Sequence, residues 1–215
     1  MIISHGRKYI FVHIPKTGGT SLSLALEARV KKDDILIGDT PKAKKRKRRL
    51  KDVITTGRLW KHSRLADIYG LVTQDQIEEY FVFAIVRNPW DRMVSYYHWL
   101  SEQSFNHPAV GVAKENDFKA FLSDPMIQHS LRNDVSRYYV GDQAGNICCN
   151  LYLRMENLAD DIHRLEQNVG LKLDSIPHTN QSSRDKGYSD YYDIQSRRLI
   201  ETVFAEDIEK FKYTF

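Results

Sequence analysis

Nine residues, His13-Ile14-Pro15-Lys16-Thr17-Gly18-Gly19-Thr20-Ser21, constrain this chain more than any other stretch. They join an apolar run, Ile10, Phe11, Val12 and Ile14, to residues Leu22, Ala25, Leu26 and Val30 that recur at helical spacing. The run reads as a strand buried on both faces of a parallel sheet, so the segment is strand, glycine-rich turn, helix. Gly18 and Gly19 remove Cβ atoms where the chain turns sharply and where an anion must approach backbone N–H groups. The helix start aims unpaired N–H donors and the positive end of its dipole at the same point. Lys16 adds a full charge, and Thr17, Thr20 and Ser21 add hydroxyls. Glycines at such a turn have a purely structural reading on their own; with the lysine and three hydroxyls, the combination reads as an anion cradle.

A Walker A nucleotide loop places its lysine after the last glycine, whereas here Lys16 precedes the pair. A kinase or NTPase also needs a carboxylate at a neighbouring strand end to hold magnesium. The second strong apolar run, Tyr80 to Val86, ends instead in Arg87-Asn88-Pro89-Trp90-Asp91-Arg92. A cation at that position points to neutralisation of the ligand's charge without a metal. Asn88 suits a helix N-cap and Pro89 the first helical position. Trp90, Met93, Val94 and Tyr97 then supply an apolar stripe. Ser95 lies two turns beyond Asn88, about 10 Å along the axis on nearly the same face. Arg87 and Ser95 are thus candidates to clamp one anionic group, with an ion pair between Arg87 and Asp91 as the structural alternative. Two cationic strand ends in one parallel sheet are expected to face one crevice.

These residues carry a resemblance. His13 to Ser21 resembles the 5′-phosphosulfate loop, and Arg87 to Ser95 the 3′-phosphate motif, of sulfotransferases that use 3′-phosphoadenosine-5′-phosphosulfate (PAPS). The carbohydrate branch, which includes the heparan sulfate 2-O- and 6-O-sulfotransferases and small bacterial relatives, is the most similar. Lys61-His62, Arg154 to Leu158, Ile176 to Asn180, Tyr188 with Tyr191-Tyr192, and Asp207 to Phe215 follow in that family's order. Residues 31 to 56 and 101 to 147 match much less well. The resemblance implies a three-layer, P-loop-like α/β fold with a central parallel sheet flanked by helices. The alternation of apolar strands near 9–14, 80–86 and 147–153 with helical patterns leads to the same class. One domain spanning 1–215 is expected.

The resemblance further implies a PAPS-dependent enzyme that moves a sulfuryl group to an acceptor hydroxyl, on a carbohydrate by branch, releasing PAP and using no metal. Lys16, Thr17, Gly18, Gly19, Thr20 and Ser21 would hold the phosphosulfate, and Arg87 and Ser95 the 3′-phosphate. Arg184, after the Asn180 stretch, resembles a late basic element that reaches the nucleotide, and a solvent-exposed ion pair is its alternative. Lys16 would stabilise the departing phosphate oxygen. His62 resembles the catalytic histidine of the 2-O and 6-O enzymes and would be the base. His98 and His178 are lesser candidates, and His13 reads as a buried histidine that braces the loop. The competing functions are a P-loop kinase or NTPase, disfavoured by the lysine order, and a non-catalytic polyanion-binding protein on the same fold.

Composition sets outer bounds. With 215 residues, 41% hydrophobic and 28% charged, the chain can bury a full core. No apolar run is long enough to span a membrane, and the first is already used by the strand before the loop. A cytoplasmic protein of bacterial or viral type is expected, or a trimmed catalytic domain. Cys148 and Cys149 are adjacent in an apolar pattern, unlike a disulfide framework or a zinc site. The protein's basicity is local: removing the eight basic residues of Lys42 to Lys51 takes the formal net charge from +4 to −4. Residues 40–52 read as a basic, mobile loop, with guidance of a polyanionic acceptor as the sharper alternative and nucleic acid as the least favoured partner.

Overall fold

The computed structural model describes residues 1–174, 176 and 187–215. In chain order it contains β1 (Ile2–Ser4), β2 (Tyr9–Val12), α1 (Gly19–Ala28), β3 (Ile35–Leu36), α2 (Pro41–Arg46), α3 (Gln74–Glu79) and β4 (Phe81–Val86). There follow α4 (Pro89–Ser101), α5 (Pro108–Glu115), α6 (Phe118–Ser123), α7 (Pro125–Leu131), α8 (Ser136–Val140), β5 (Leu151–Arg154), α9 (Leu158–Val169), α10 (Ile194–Val203) and α11 (Ala205–Phe211). The residues group into two compact units, Met1–Val86 with Ser136–Thr179, and Arg87–Val135 with Asn180–Phe215.

The first unit holds a five-stranded sheet in the order β3-β1-β2-β4-β5. Its middle is parallel: Tyr9 to Val12 pair with Phe81 to Ala84, and Phe83 to Val86 pair with Leu151 to Arg154. The expected parallel core is therefore present, with an antiparallel margin added by β1 and β3. That margin had no readable signal. Its strands are three and two residues long. In the turn between β1 and β2 it is Lys8, not Gly6, that takes the left-handed conformation, at φ 51°.

Alternation along the strands explains why they read as continuous apolar runs. Ile2, Tyr9, Phe11, Leu36, Phe83, Ile85, Leu151 and Leu153 point to one face, where they meet Leu22 and Leu26 of α1 and Ile162, Leu165 and Val169 of α9. The intervening Ile3, Ile10, Val12, Val82, Ala84 and Val86 are also buried. Both faces are covered, so neither needs polar residues.

The basic stretch differs from its composition-based reading as a loop. Thr40 accepts a hydrogen bond from Ala43 N at 3.1 Å and caps α2, Pro41 occupies the first helical turn, and Lys47–Leu50 continue as a 3₁₀ turn. Lys42 Nζ donates to the Glu27 carbonyl at the end of α1, Arg46 to the Lys31 and Asp34 carbonyls, and Arg49 to the Lys32 carbonyl. Lys44, Lys45, Lys47, Arg48 and Lys51 are exposed.

The second unit is helical and centred on α4. Asn88 Oδ1 accepts from Trp90 N and Asp91 N, and Asn88 Nδ2 donates to the Thr214 carbonyl. Arg92 pairs with Asp134 at 2.8 Å. Tyr97, Phe118, Phe121, Tyr191 and Tyr192 form an aromatic cluster around α4 and α6. Among the described residues, no helix is long and apolar enough to cross a membrane.

Candidate active site

In the first unit, parallel pairing puts the C-terminal ends of β2, β4 and β5 on one edge of the sheet. The loop of residues 13–18 leaves β2 at that edge. Lys16 sits in the left-handed region at φ 62°, a conformation that costs a non-glycine residue about 1 kcal/mol or more. Gly18, at φ 81°, turns the chain into α1, and no side chain caps that helix start. Met155, at the end of β5, covers this glycine: a Cβ there would lie 3.5 Å from the thioether.

Gly19 is needed for a different reason. A Cβ on it would fall 2.2 Å from Cδ2 of His13, so the histidine ring occupies the space a side chain would take. The Thr17 hydroxyl donates to the Ile14 carbonyl at 2.9 Å and is buried, bracing the loop from within. Ser21 is 9% exposed. Thr20, Ser23 and Glu27 follow one face of α1 and line a small polar hollow together with His13, Asp39 and Lys61. The hollow has room for about one water.

His62 stands beside this loop. Its Nδ1 is 2.8 Å from the carbonyl oxygen of His13. A carbonyl only accepts, so Nδ1 carries the proton, and Nε2 bears the lone pair whenever the ring is neutral. The ring meets His13 edge-on at 4.7 Å and Trp60 edge-on at 5.0 Å. Burial, and then the proximity of His62, hold His13 well below the usual imidazole range. Burial pushes the Glu27 carboxyl up, against the opposing hydrogen bond from Thr40 at 2.6 Å. Burial also pushes Asp39 up, but its hydrogen bond and charge contact with Lys61 outweigh that, and it ends below the usual carboxylate range.

The second unit carries the other predicted cation. Arg87 is held by Asp91 through Nε at 2.8 Å and Nη2 at 2.7 Å, so the ion pair weighed as its structural alternative forms. Ser95 lies buried on α4. His98 Nε2 is 2.8 Å from the Tyr191 hydroxyl.

A profile of the sulfotransferase family matches residues 1–214. The chain belongs to that family. No curated protein matches it in sequence. Among solved structures, the crystal structure of mouse sulfotransferase SULT7A1 complexed with PAP is similar at 13% identity and a TM-score of 0.49, over 96% of this chain and 85% of that one.

Sulfotransferase chemistry is sulfuryl transfer to a hydroxyl acceptor. Of the residues expected to carry it, Lys16, Thr17, Gly18, Gly19, Thr20, Ser21 and His62 are gathered in the first unit, and Arg87 and Ser95 belong to the second. Arg184 and His178 lie outside the described residues. Sequence reasoning did not single out Met155, Glu27 or Asp39, whose places depend on contacts across 12 or more positions. Among the described residues, no group of three or more His, Cys, Asp or Glu side chains is arranged to hold a metal ion.

Proposed function

We propose that this sulfotransferase takes its sulfuryl group from PAPS, releases PAP, and delivers the group to a carbohydrate hydroxyl in the cytoplasm. The observation that carries the donor assignment is the strand end, left-handed lysine and uncapped helix start of residues 13–21. Such a terminus gathers backbone N–H donors and the positive helix end, which suit a phosphate.

In this reading Lys16 and the amides at the start of α1 meet the charge that builds on the departing phosphate oxygen. One preorganised donor of this kind is worth about 3 kcal/mol, roughly 100-fold in rate. The acceptor oxygen bonds to sulfur as the sulfur–phosphate oxygen bond breaks, and the acceptor's proton passes to Nε2 of His62. Arg87, Ser95 and Arg184 are assigned to the 3′-phosphate. The Arg87–Asp91 pair is compatible with this, because it orients the guanidinium.

A polyanionic saccharide is the acceptor favoured by charge. Lys44, Lys45, Lys47, Arg48 and Lys51 are exposed in one short segment, which Lys42, Arg46 and Arg49 fasten to main-chain carbonyls.

The deciding experiment is transfer of radiolabelled sulfate from PAPS to a panel of sugar, lipid, phenolic and peptide acceptors, by the wild type, Lys16→Ala and His62→Ala. Transfer to acidic saccharides that collapses in both variants supports the reading. Retention on heparin with no transfer to any acceptor points instead to a binding protein on this fold.

A further inference from the structure

We propose that His13 is a positioning residue for His62, its ring wedged between the first residue of α1 and the base so that loop geometry and the base's tautomer are set together. The assignment rests on the reading of His62 as the base.

Four contacts converge on His13. Its ring is stacked on Phe11 at 5.9 Å with an interplanar angle of 19°, which anchors it to the core through β2. It lies against Gly19 so closely that a Cβ there would fall 2.2 Å from Cδ2. Its edge contact with the His62 ring, at 4.7 Å and 72°, limits where that ring can turn. Its own carbonyl receives the Nδ1 proton of His62 at 2.8 Å. The residue is only 5% exposed, so the ring has little freedom to leave this place.

Each contact has an ordinary packing explanation by itself. Together they connect three things a transfer enzyme must keep in register: the end of the strand, the first turn of the anion-binding helix and the lone pair of the base. Backbone freedom does not account for Gly19, since Gly18 is the glycine of this pair with a positive φ. The requirement for glycine at 19 comes from the ring of His13. A change at 19 therefore reaches His62 without touching it, by way of the His13 ring that does. Misplacing a reacting group by about 1 Å costs on the order of 100-fold.

The experiment combines nitrogen NMR of the His62 ring with steady-state sulfate transfer, using His13→Ala, His13→Phe, Gly19→Ala and the His13→Ala/Gly19→Ala double variant. His62→Gln identifies the His62 signals among the eight histidines. The wild type should show a protonated Nδ1 and an unprotonated Nε2. His13→Ala should mix the two tautomers and lower kcat about tenfold or more, with the acceptor KM held within about twofold. His13→Phe, which keeps a flat ring, should recover kcat to within about threefold of wild type. Gly19→Ala should reproduce the tautomer mixing by displacing the ring, and the double variant should be no worse than the worse single one.

A folded His13→Ala with the wild-type Nδ1 signal and wild-type kcat overturns the proposal, as do strictly additive losses in the double variant. Should alanine at 13 prevent folding, His13→Leu against His13→Phe decides: equal kcat overturns the assignment, and a selective loss in the leucine variant supports it. Wild-type turnover by His62→Ala sinks the base reading instead, leaving the tautomer signal to show whether His13 fixes that ring.

Discussion

The two strand-to-helix turns of this chain use one plan and finish it in opposite ways. After β2, the helix start has no side-chain cap, and the turn is made by a left-handed lysine and a left-handed glycine. After β4, Asn88 caps the helix through Trp90 N and Asp91 N, Pro89 fills the first helical position, and Arg87 is held by Asp91. The first turn keeps its backbone donors clear of side-chain caps; the second satisfies its own amides and offers a guanidinium. In the proposed reading, the first turn would act on a charge that changes during transfer and the second would grip a phosphate whose charge stays constant.

Breaking the first turn should have the largest effect. Lys16→Ala is expected to lower kcat by about 100-fold or more in the sulfate-transfer assay, because it removes a preorganised charge along with a donor. A thermal melt of the variant checks that this loss of kcat is not a loss of fold. Unchanged kcat would show that the two turns differ only in form.

The second turn should respond in binding. Arg87→Ala is expected to raise the donor KM about tenfold or more, the worth of a charge-assisted hydrogen bond, while kcat changes less. A pure kcat effect would erase the proposed division between acting and gripping.

The two helix starts should also differ in what stability they lose. Gly19→Ala forces a Cβ against His13 and should cost about 1–3 kcal/mol in urea unfolding, the range for overpacking. Asn88→Ala removes a cap and should cost about 1 kcal/mol. The reverse order would mean that the His13 ring moves aside freely.

The smallest effect is a pH dependence that only the first turn should show. His13 is held below its ordinary range of about 6.5, so the unfolded chain binds a proton on acidification that the folded chain does not. Stability is therefore intact above about pH 6.5 and is lost as pH falls below it, at no more than about 1.4 kcal/mol per unit. His13→Phe should flatten this slope, as measured by urea unfolding at about pH 7 and 5. An identical slope in the variant would place the titration elsewhere.

Much of this was legible in the sequence, where one physical signal dominated. β2, β4 and β5 announced themselves because strands buried on both faces have no polar alternation to blur them. β1 and β3 did not, being too short for any periodicity and joined through a lysine in a conformation more often given to glycine. Charge counting also misread residues 40–52 as a loop, because it does not register carbonyl partners such as those of Lys42, Arg46 and Arg49. At the site, the lysine, glycines and hydroxyls of 13–21 were readable as a local pattern. The orientation of His62 was not, since it depends on a carbonyl 49 positions away. Nor did spacing reveal that Thr17 spends its hydroxyl on Ile14, or that Gly19 answers to an imidazole.

The three basic side chains fastened to the carbonyls of residues 27 to 34 have a practical consequence. They are partly exposed, so dissolved ions compete with them as they do with any outward-facing cation. Raising salt to wash a polyanion off this segment will also slacken the corner that follows α1. An elution profile on a charged resin will thus report ligand release and local loosening at once, and a parallel melting curve at each ionic strength is what tells them apart.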